Sequence, residues 1–436
     1  MNAMTKTLSC RYIHHALYLG PDQFRHCCKR FHVDGEMRGD AVVFSVDSDD
    51  DVGPDKVLAA KRELWRAINA GETTQCSGCP YLSEAEWPEL DRLSLDLISV
   101  EAHSRCNMRC SYCSDIYYGN VLPKYDVMAL FDRYAEAGSI GDEVVLAWGG
   151  GEPLMLDGFE KIFATVSRRL KPLYNRVFSN AILYSQELAD HLKDGRAILT
   201  TSIDAGTVET FRQVRGVNQL YKVLGNLRRY VEFAGTANIA LKYIFTDGNS
   251  TVAEVEEFLA RIQEHGLSHC AFQISADYKS AEIGAEQVKS AVRLYEGLLQ
   301  GGTASCHFDD HLRPRINHAI RLIRASDPAA LADLSILANN DRFRGQPVVV
   351  WGSGEYADGL IRESLFFEES PIAFFVDSDP AKQGGTFHNA PIKAPDAVLA
   401  VDHPVVIGSS YAYQDIRRAL HAMGVADQRI VDSMIF

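Results

Sequence analysis

Three cysteines, Cys106, Cys110 and Cys113, stand four and three residues apart in the stretch CNMRCSYC. Thiolate sulfur is a soft ligand, so this spacing on one segment gathers sulfur toward a metal. A closed structural zinc site needs four ligands, and only His103 stands close by as a supplement. Core packing explains the three less well, because Asn107, Arg109 and Ser111 make the segment polar. Three thiolates on one loop suit a 4Fe–4S cluster whose fourth iron stays open to another ligand.

The other cysteines are unevenly placed. Cys10, Cys27, Cys28, Cys76 and Cys79 precede the triplet, so eight of the ten lie in the first 113 residues. Cys270 and Cys306 stand alone and read as packing residues. No apolar run approaches the ~18 residues of a membrane span. The opening MNAMTKTLSCRYIHH has none of the marks of a secretory signal. The expected compartment is the cytoplasm, where a disulfide framework is not expected. Cys76 and Cys79 form a CxxC, which alone fits a redox pair, half a zinc site or no site. His14, His15, His26 and His32 are alternative ligands beside these front cysteines, although packing or surface roles account for each.

The formal charge is −14, from 44 basic and 58 acidic residues. With no basic surplus or cluster, neither nucleic acid nor a membrane surface is an expected partner. The charge accounts for solubility and leaves room for a nucleotide-sized ligand in one locally positive pocket.

The elements that must position these residues follow from periodicity. Strands are expected at LDLISVE (95–101), VVLAW (144–148), RVFSN (176–180), ILTTSID (198–204), IALKYIF (239–245) and AFQIS (271–275). Amphipathic helices such as VAEVEEFLARIQEHG lie between them, that one stopping at Gly266. Strand–helix alternation of this kind builds a parallel sheet. The expected fold class is α/β: a partial (β/α)6 barrel over 94–302, whose strand C-terminal ends carry the chemistry. Residues 1–93 read as a small cysteine-rich α+β module with a hairpin around Gly35. Residues 303–345 read as a helical linker, and 346–436 as a separate Rossmann-like α/β domain.

With a CxxxCxxC after the first barrel strand and an aromatic, Tyr112, before its last cysteine, the chain resembles the radical S-adenosylmethionine (radical SAM) superfamily. The resemblance implies that Cys106, Cys110 and Cys113 hold a cluster whose open iron chelates S-adenosylmethionine. Reductive cleavage there yields a 5′-deoxyadenosyl radical that abstracts hydrogen from a substrate. It continues through Gly150, Gly151, Glu152 and Pro153, which match the GGEP element that engages the amino group of the bound nucleoside. Ser179 and Asn180 match a polar pair near the cofactor. Ser202 and Asp204 match the end of the fourth strand, Arg215–Gly216 an Arg–Gly pair, and Lys242 and Asn249 the next strand. Taken singly, GGEP is also a tight turn, and Ser202 and Asp204 are also helix caps. The front order of Cys27–Cys28, hairpin, helix and CSGCP resembles the SPASM or twitch modules, which hold an auxiliary 4Fe–4S cluster. Those modules usually follow the barrel, and here the cysteines precede it. The implied ligands are Cys76, Cys79, one or both of Cys27 and Cys28, and Cys10. Four cysteines suit zinc equally well.

In the tail, VVVWGSGEYADGL places Gly352, Gly354 and Ala357 in a GxGxxA pattern between a strand and a helix, with Asp377 25 residues after Gly352. This is the dinucleotide pattern of glycines for the phosphates and an acid for the ribose. The segment resembles modules of enzymes that handle nucleotide-sugars, and a scaffolding role is the alternative. The implied function is a radical SAM oxidoreductase or transferase acting on a sugar, a nucleotide-sugar or a peptide. Its electron donor would be of flavodoxin or ferredoxin type. The rivals are a non-catalytic iron–sulfur or zinc protein with a degenerate barrel and, further off, a nicotinamide-dependent dehydrogenase.

Overall fold

The structure is a computed structural model that describes residues 6–33, 36–114, 119–279, 283–309, 312–332, 334, 340–409 and 412–431. It divides into two compact units, Met1–Ser202 with Arg215–Ala240, and Ile203–Val214 with Leu241–Phe436.

The first unit opens with β1 (Thr7–Ser9), β2 (Ala16–Leu19), β3 (Gln23–Arg25), β4 (Arg30–Val33), β5 (Glu36–Gly39), β6 (Val42–Ser45) and β7 (Ser83–Ala85). It continues with β8 (Leu95–Val100), β9 (Ile140–Trp148), β10 (Tyr174–Phe178) and β11 (Ala197–Ser202). β4 and β5 pair as the expected hairpin, whose turn residues 34 and 35 lie outside the described residues. Strands β8 to β11 are parallel neighbours. Helices Val127–Glu136, Phe159–Leu170 and Gln186–Lys193 alternate with them. The first and third begin at side-chain caps: Asp126 accepts from the Met128 and Ala129 N–H groups, and Ser185 from that of Leu188.

The front segment is joined to this sheet. β2 runs parallel to β8, and β3 and β6 follow antiparallel, giving the order β11–β10–β9–β8–β2–β3–β6. The reason lies in β2 itself: ALYL is buried at every position, as suits an apolar strand flanked on both sides.

In the second unit β12 (Ile239–Phe245), β13 (Ala271–Ala276) and β14 (Ser305–Phe308) are adjacent, with β13 and β14 parallel. β14 occupies residues expected to be helical. The turn at Gly301–Gly302 ends the helix Ala285–Gln300, and SCHF then returns beside β13 with its side chains largely buried. Cys270, read as a packing residue, is buried just before β13.

The rest of this unit carries a second sheet: β15 (Val348–Trp351), β16 (Ile372–Val376), β17 (Thr386–Phe387), β18 (Ala390–Lys393), β19 (Val405–Ile407) and β20 (Ile430–Val431). Its parallel strands run β18–β16–β15–β19–β20. Counted from β15, this is the order 3-2-1-4-5 of doubly wound sheets, in which a crevice opens between the first and fourth strands. Burial explains the unbroken VVVW of β15. Val349 and Trp351 pack into one cluster with Tyr413 and Leu420, while Val348 and Val350 pack on the other face with Ala357 and Phe366. Among the described residues no helix is long and apolar enough to cross a membrane.

Candidate functional site

Parallel pairing brings the C-terminal ends of β8 to β11 to one edge of the first unit, with Val100 opposite Trp148, Trp148 opposite Val177 and Phe178 opposite Thr200. The Cys106–Cys113 segment follows β8 at that edge. The Met108 N–H points at the Cys106 sulfur at 3.4 Å, and the Asn180 side-chain amide lies 3.8 Å from it. Asn180 also donates to the Asn107 side chain at 2.6 Å. Burial pushes the Cys106 thiol up to about 11, and the neighbouring Glu152, Cys110 and Cys113 act in the same direction. Cys110 and Cys113 thus lie close enough to Cys106 to bear on its charge.

The glycines after β9 serve this segment directly. Gly150 has φ +92°, and a Cβ there would stand 2.9 Å from the Glu101 Cα; a Cβ on Gly151 would meet the Arg105 carbonyl at 2.0 Å. Both let the turn pack on the backbone that leads into the cysteines. Glu152 is fully enclosed. Its carboxylate accepts from the Ser179 hydroxyl at 2.7 Å, the Asn180 N–H at 2.7 Å and the Leu154 N–H at 3.3 Å. Burial pushes it up to about 7, partly offset by those bonds and by Arg215. Pro153 starts the short turn Pro153–Met155 that Glu152 caps.

Arg215 reaches the same segment from the far side. Its guanidinium bonds the Tyr112 hydroxyl and lies 5.7 Å from that ring's centre, and its carbonyl accepts the Arg109 N–H at 3.0 Å. Gly216 has φ +77°, and a Cβ there would stand 2.6 Å from the Arg109 carbonyl oxygen. Ser202 closes β11, half-buried. A cavity of about 260 Å³ beside the cysteine segment is lined by His103, Arg105, Met155 and Asp157 among others, and by none of the expected site residues.

Within the second unit the expected residues hold the backbone. Asp204 is buried at φ +64°; its carboxylate accepts the Ile244 N–H at 2.8 Å, and its carbonyl accepts the Asn249 amide at 2.8 Å. Asn249 also receives the Thr246 N–H at 2.7 Å. Lys242 lies on the less buried face of β12.

The front cysteines divide. Cys76 is pushed up to about 12 by burial, then by Cys27, Cys10 and Cys79. Cys27 is raised by burial and by Cys10, and Cys79 by burial and by Cys27. Four thiols thus share one surrounding. Backbone N–H groups are aimed at three of them: Tyr12 and Ile13 at Cys10, Lys29 and Ala41 at Cys27, Tyr81 and Leu82 at Cys79. Cys28 has other partners: burial raises it to about 11, its thiol bonds Tyr18, and Glu101 and Arg25 act on it more strongly than Cys27, the one front thiol that does. His14 bonds Ser9 at 2.9 Å, His15 bonds the Ser94 carbonyl at 3.1 Å, and His26 is buried. The side chain of His32 lies outside the described residues.

Both groups fit iron–sulfur ligation in their donor chemistry, all thiol with N–H groups directed at sulfur. Among the described residues, no three His, Cys, Asp or Glu side chains are closed on a single metal position. Sequence reasoning missed two charged residues here. Arg25 is buried and bonds both Glu101, at the end of β8, and Asp40 at 3.1 Å, tying β3 to the cysteine strand. Lys61 is buried in the helix Pro54–Asn69, and burial pushes it down to about 7.

In the tail, Gly352 has φ +113° and a Cβ there would stand 2.8 Å from the Gly408 carbonyl, so the loops after β15 and β19 touch. Gly354 begins the helix Glu355–Glu363. Asp377, expected to meet a ribose, holds the loop together. It accepts from the Ser353 hydroxyl at 2.6 Å, the Ser353 N–H at 3.0 Å, Lys382 at 3.2 Å and the Asp379 N–H at 3.0 Å.

Residues 100–275 match the Radical SAM superfamily, which supports that superfamily for this part of the chain. The GTP 3′,8-cyclase of Clostridium acetobutylicum is 28% identical over 136 residues, 31% of this chain and 42% of the relative. The chain thus spans between about two fifths and a little over half of the length of the curated relatives it matches. Native anSMEcpe with bound AdoMet and Cp18Cys peptide aligns at 20% identity and TM-score 0.37, over 48% of this chain and 62% of that one. Streptococcus suis SuiB bound to its precursor peptide SuiA aligns at 11% identity and TM-score 0.39, over 59% and 64%.

Proposed function

We propose that the chain is a radical SAM enzyme that cleaves S-adenosylmethionine reductively at a 4Fe–4S cluster held by Cys106, Cys110 and Cys113. The observation that carries the reading is the convergence of three thiols with Glu152, Ser179, Asn180 and Arg215 at one strand-end edge. A cluster held there by Cys106, Cys110 and Cys113 would supply the single electron that reductive cleavage of S-adenosylmethionine requires.

The chain's own residues have defined parts. Met108 and Asn180 direct N–H groups at the Cys106 sulfur, which stabilises negative charge on it. Glu152 is a buried acceptor for an ammonium group, with Ser179 and Asn180 fixing its orientation. Arg215 locks Tyr112 and the loop backbone at Arg109, so the third cysteine keeps its place. Gly150 and Gly151 bring the Glu152 turn against the cysteine backbone.

We assign Cys10, Cys27, Cys76 and Cys79 to an auxiliary 4Fe–4S cluster, with Cys28 outside the ligand set. The proposed division keeps a front cysteine-rich segment, a barrel, a linker and a tail domain. The strand order and glycine loop of the tail favour a small-molecule substrate of sugar or nucleotide-sugar type over a peptide. Asp377 then acts through the loop it holds, not as a direct ribose ligand.

The test is anaerobic reconstitution with iron and sulfide, reduction, and measurement of 5′-deoxyadenosine from S-adenosylmethionine. Its formation in the parent protein and absence in a Cys106/Cys110/Cys113→Ala variant is expected. A reconstituted protein that binds iron but forms none would be a non-catalytic iron–sulfur protein, and the reading would fall.

A further inference from the structure

Lys61 is among the largest fully enclosed side chains of the protein, at 0% exposure. Its ammonium donates to three backbone carbonyls, those of Ala16 at 2.6 Å, Ile13 at 2.8 Å and Tyr12 at 3.4 Å. Among the described residues no carboxylate lies within ion-pair range of it. The ionisable groups that face it are the thiols of Cys10 and Cys27 and the imidazoles of His14 and His26. Both imidazoles are kept neutral by burial.

A buried ammonium with only carbonyl partners is costly, and a neutral donor would tie those carbonyls as well. Burial favours the neutral amine, so an ammonium held at this position calls for an anion beside it. A cluster ligated by four thiolates supplies one: it is an anion in a low-dielectric site, and it gains a further negative charge when reduced.

We propose that Lys61 is the built-in counter-charge of the front centre, a positioning residue that stabilises the reduced, more negative form of the cluster held by Cys10, Cys27, Cys76 and Cys79. The inference rests on the auxiliary-cluster assignment made above. Reduction takes one electron from an external donor into the cluster; no bond to Lys61 forms or breaks. The carbonyl bonds fix the ammonium where a flexible surface lysine would be screened by water.

The experiment uses the full chain carrying the Cys106/Cys110/Cys113→Ala substitutions, so that the front centre is the one observed. Iron, sulfide and zinc are counted first, and the iron–sulfur signal is then titrated against potential by paramagnetic resonance. Three further variants are compared: Lys61→Met, Lys61→Gln and Lys61→Arg. Met and Gln should each shift the oxidised-to-reduced ratio at fixed potential about tenfold toward oxidised, which is about 59 mV for one electron. Arg should restore the parent ratio to within about threefold. A structural tie alone predicts that Gln, which still donates, behaves as the parent does. That outcome, or an equal shift in all three variants, overturns the proposal.

A variant chain that binds no metal overturns the auxiliary-cluster reading, and Lys61's role with it. Zinc in place of iron overturns the cluster reading alone. The charge argument then predicts zinc binding about tenfold weaker in Lys61→Met and Lys61→Gln than in Lys61→Arg, and equal binding sinks it.

Discussion

Two groups of cysteines in one unit use the same short turn. The Cys113 N–H bonds the Cys110 carbonyl at 3.2 Å, and the Cys79 N–H bonds the Cys76 carbonyl at 3.0 Å. Their surroundings differ. Cys106, Cys110 and Cys113 come from one loop at the edge where parallel strands end, among Glu152, Asn180 and Arg215. Cys10, Cys27, Cys76 and Cys79 come from three separate segments, with the buried Lys61 beside Cys10 and Cys27. A loop contributes three ligands and leaves a direction open, where strand-end side chains receive a ligand. Three segments converging from different directions would supply four ligands, and a cluster so held would have no iron left over for another ligand. The first arrangement suits chemistry on a bound molecule, the second an enclosed centre that moves electrons or stiffens the fold.

The sharpest way to break this comparison is to remove each group in turn. Replacing Cys106, Cys110 and Cys113 by Ala should abolish 5′-deoxyadenosine formation, a loss of at least about a thousandfold, and remove about four of eight irons. Replacing Cys76 and Cys79 by Ala should also remove about four irons but leave cleavage within about tenfold of the parent. Iron counts with a deoxyadenosine assay decide it. Equal loss of cleavage in both variants would erase the distinction between an open and an enclosed site.

The adjacent pair Cys27–Cys28 sharpens it further. Cys27 faces the other thiols, and Cys28 bonds Tyr18. Cys27→Ala should lower retention of the front metal about tenfold or more, whereas Cys28→Ala should leave it within about twofold. Metal retention against a chelator series is the readout.

How much of this the sequence disclosed follows from particular residues. The strands between 95 and 276 were legible because their apolar runs are bounded by strong helical periodicity. CNMRCSYC was legible because its spacing admits few uses. The joining of the front segment to the sheet was not, since ALYL is too short to distinguish a strand from a helix end. SCHF failed for the same reason. That Cys28 has other partners was hidden because neighbours in extended chain face opposite ways, and neither direction is marked. Lys61 did carry a signal. It sits four residues after Val57 and three after Leu58, both buried, on the inward stripe of its helix. A charge on that stripe is the mark that pattern reading passed over. Asp377 was found, but the four loop bonds it accepts from Ser353, Asp379 and Lys382 are visible only in three dimensions.

Glu152 tests the electrostatic side of the open site. Its ordinary value is 4.5, and in the folded chain it is raised to about 7. Below 4.5 the carboxyl is protonated in folded and unfolded chains alike. Between the two values the unfolded chain loses the proton and the folded chain keeps it, so stability falls as pH rises through this window. The metal-free protein should lose about 3 kcal/mol from this group on going from pH 4 to pH 7.5. Glu152→Gln should flatten that dependence and weaken S-adenosylmethionine binding about tenfold. Denaturant titration across pH and a binding isotherm measure the two effects. A pH profile unchanged by Gln would show that the carboxyl is better solvated than its enclosure implies.

The smallest effect separates the two turns at single glycines. Gly216 (φ +77°) and Gly78 (φ +80°) share the left-handed backbone, so alanine at either carries a similar conformational penalty of about 1 kcal/mol. Their neighbours differ. A Cβ on Gly216 meets the Arg109 carbonyl oxygen at 2.6 Å, inside the cysteine loop; a Cβ on Gly78 meets a methyl of Val33 at 2.9 Å. Backbone within a ligand loop has little room to yield, while a side-chain methyl yields by a small rotation. Gly216→Ala should therefore cost about 2–3 kcal/mol and lower occupancy of the strand-end cluster. Gly78→Ala should cost about 1 kcal/mol and leave the front metal in place. Thermal unfolding with iron content of each variant gives both numbers. Equal costs would mean that the loop around Arg109 moves as freely as the Val33 side chain, so the open site would be ordered by its cluster and not by the chain that carries it.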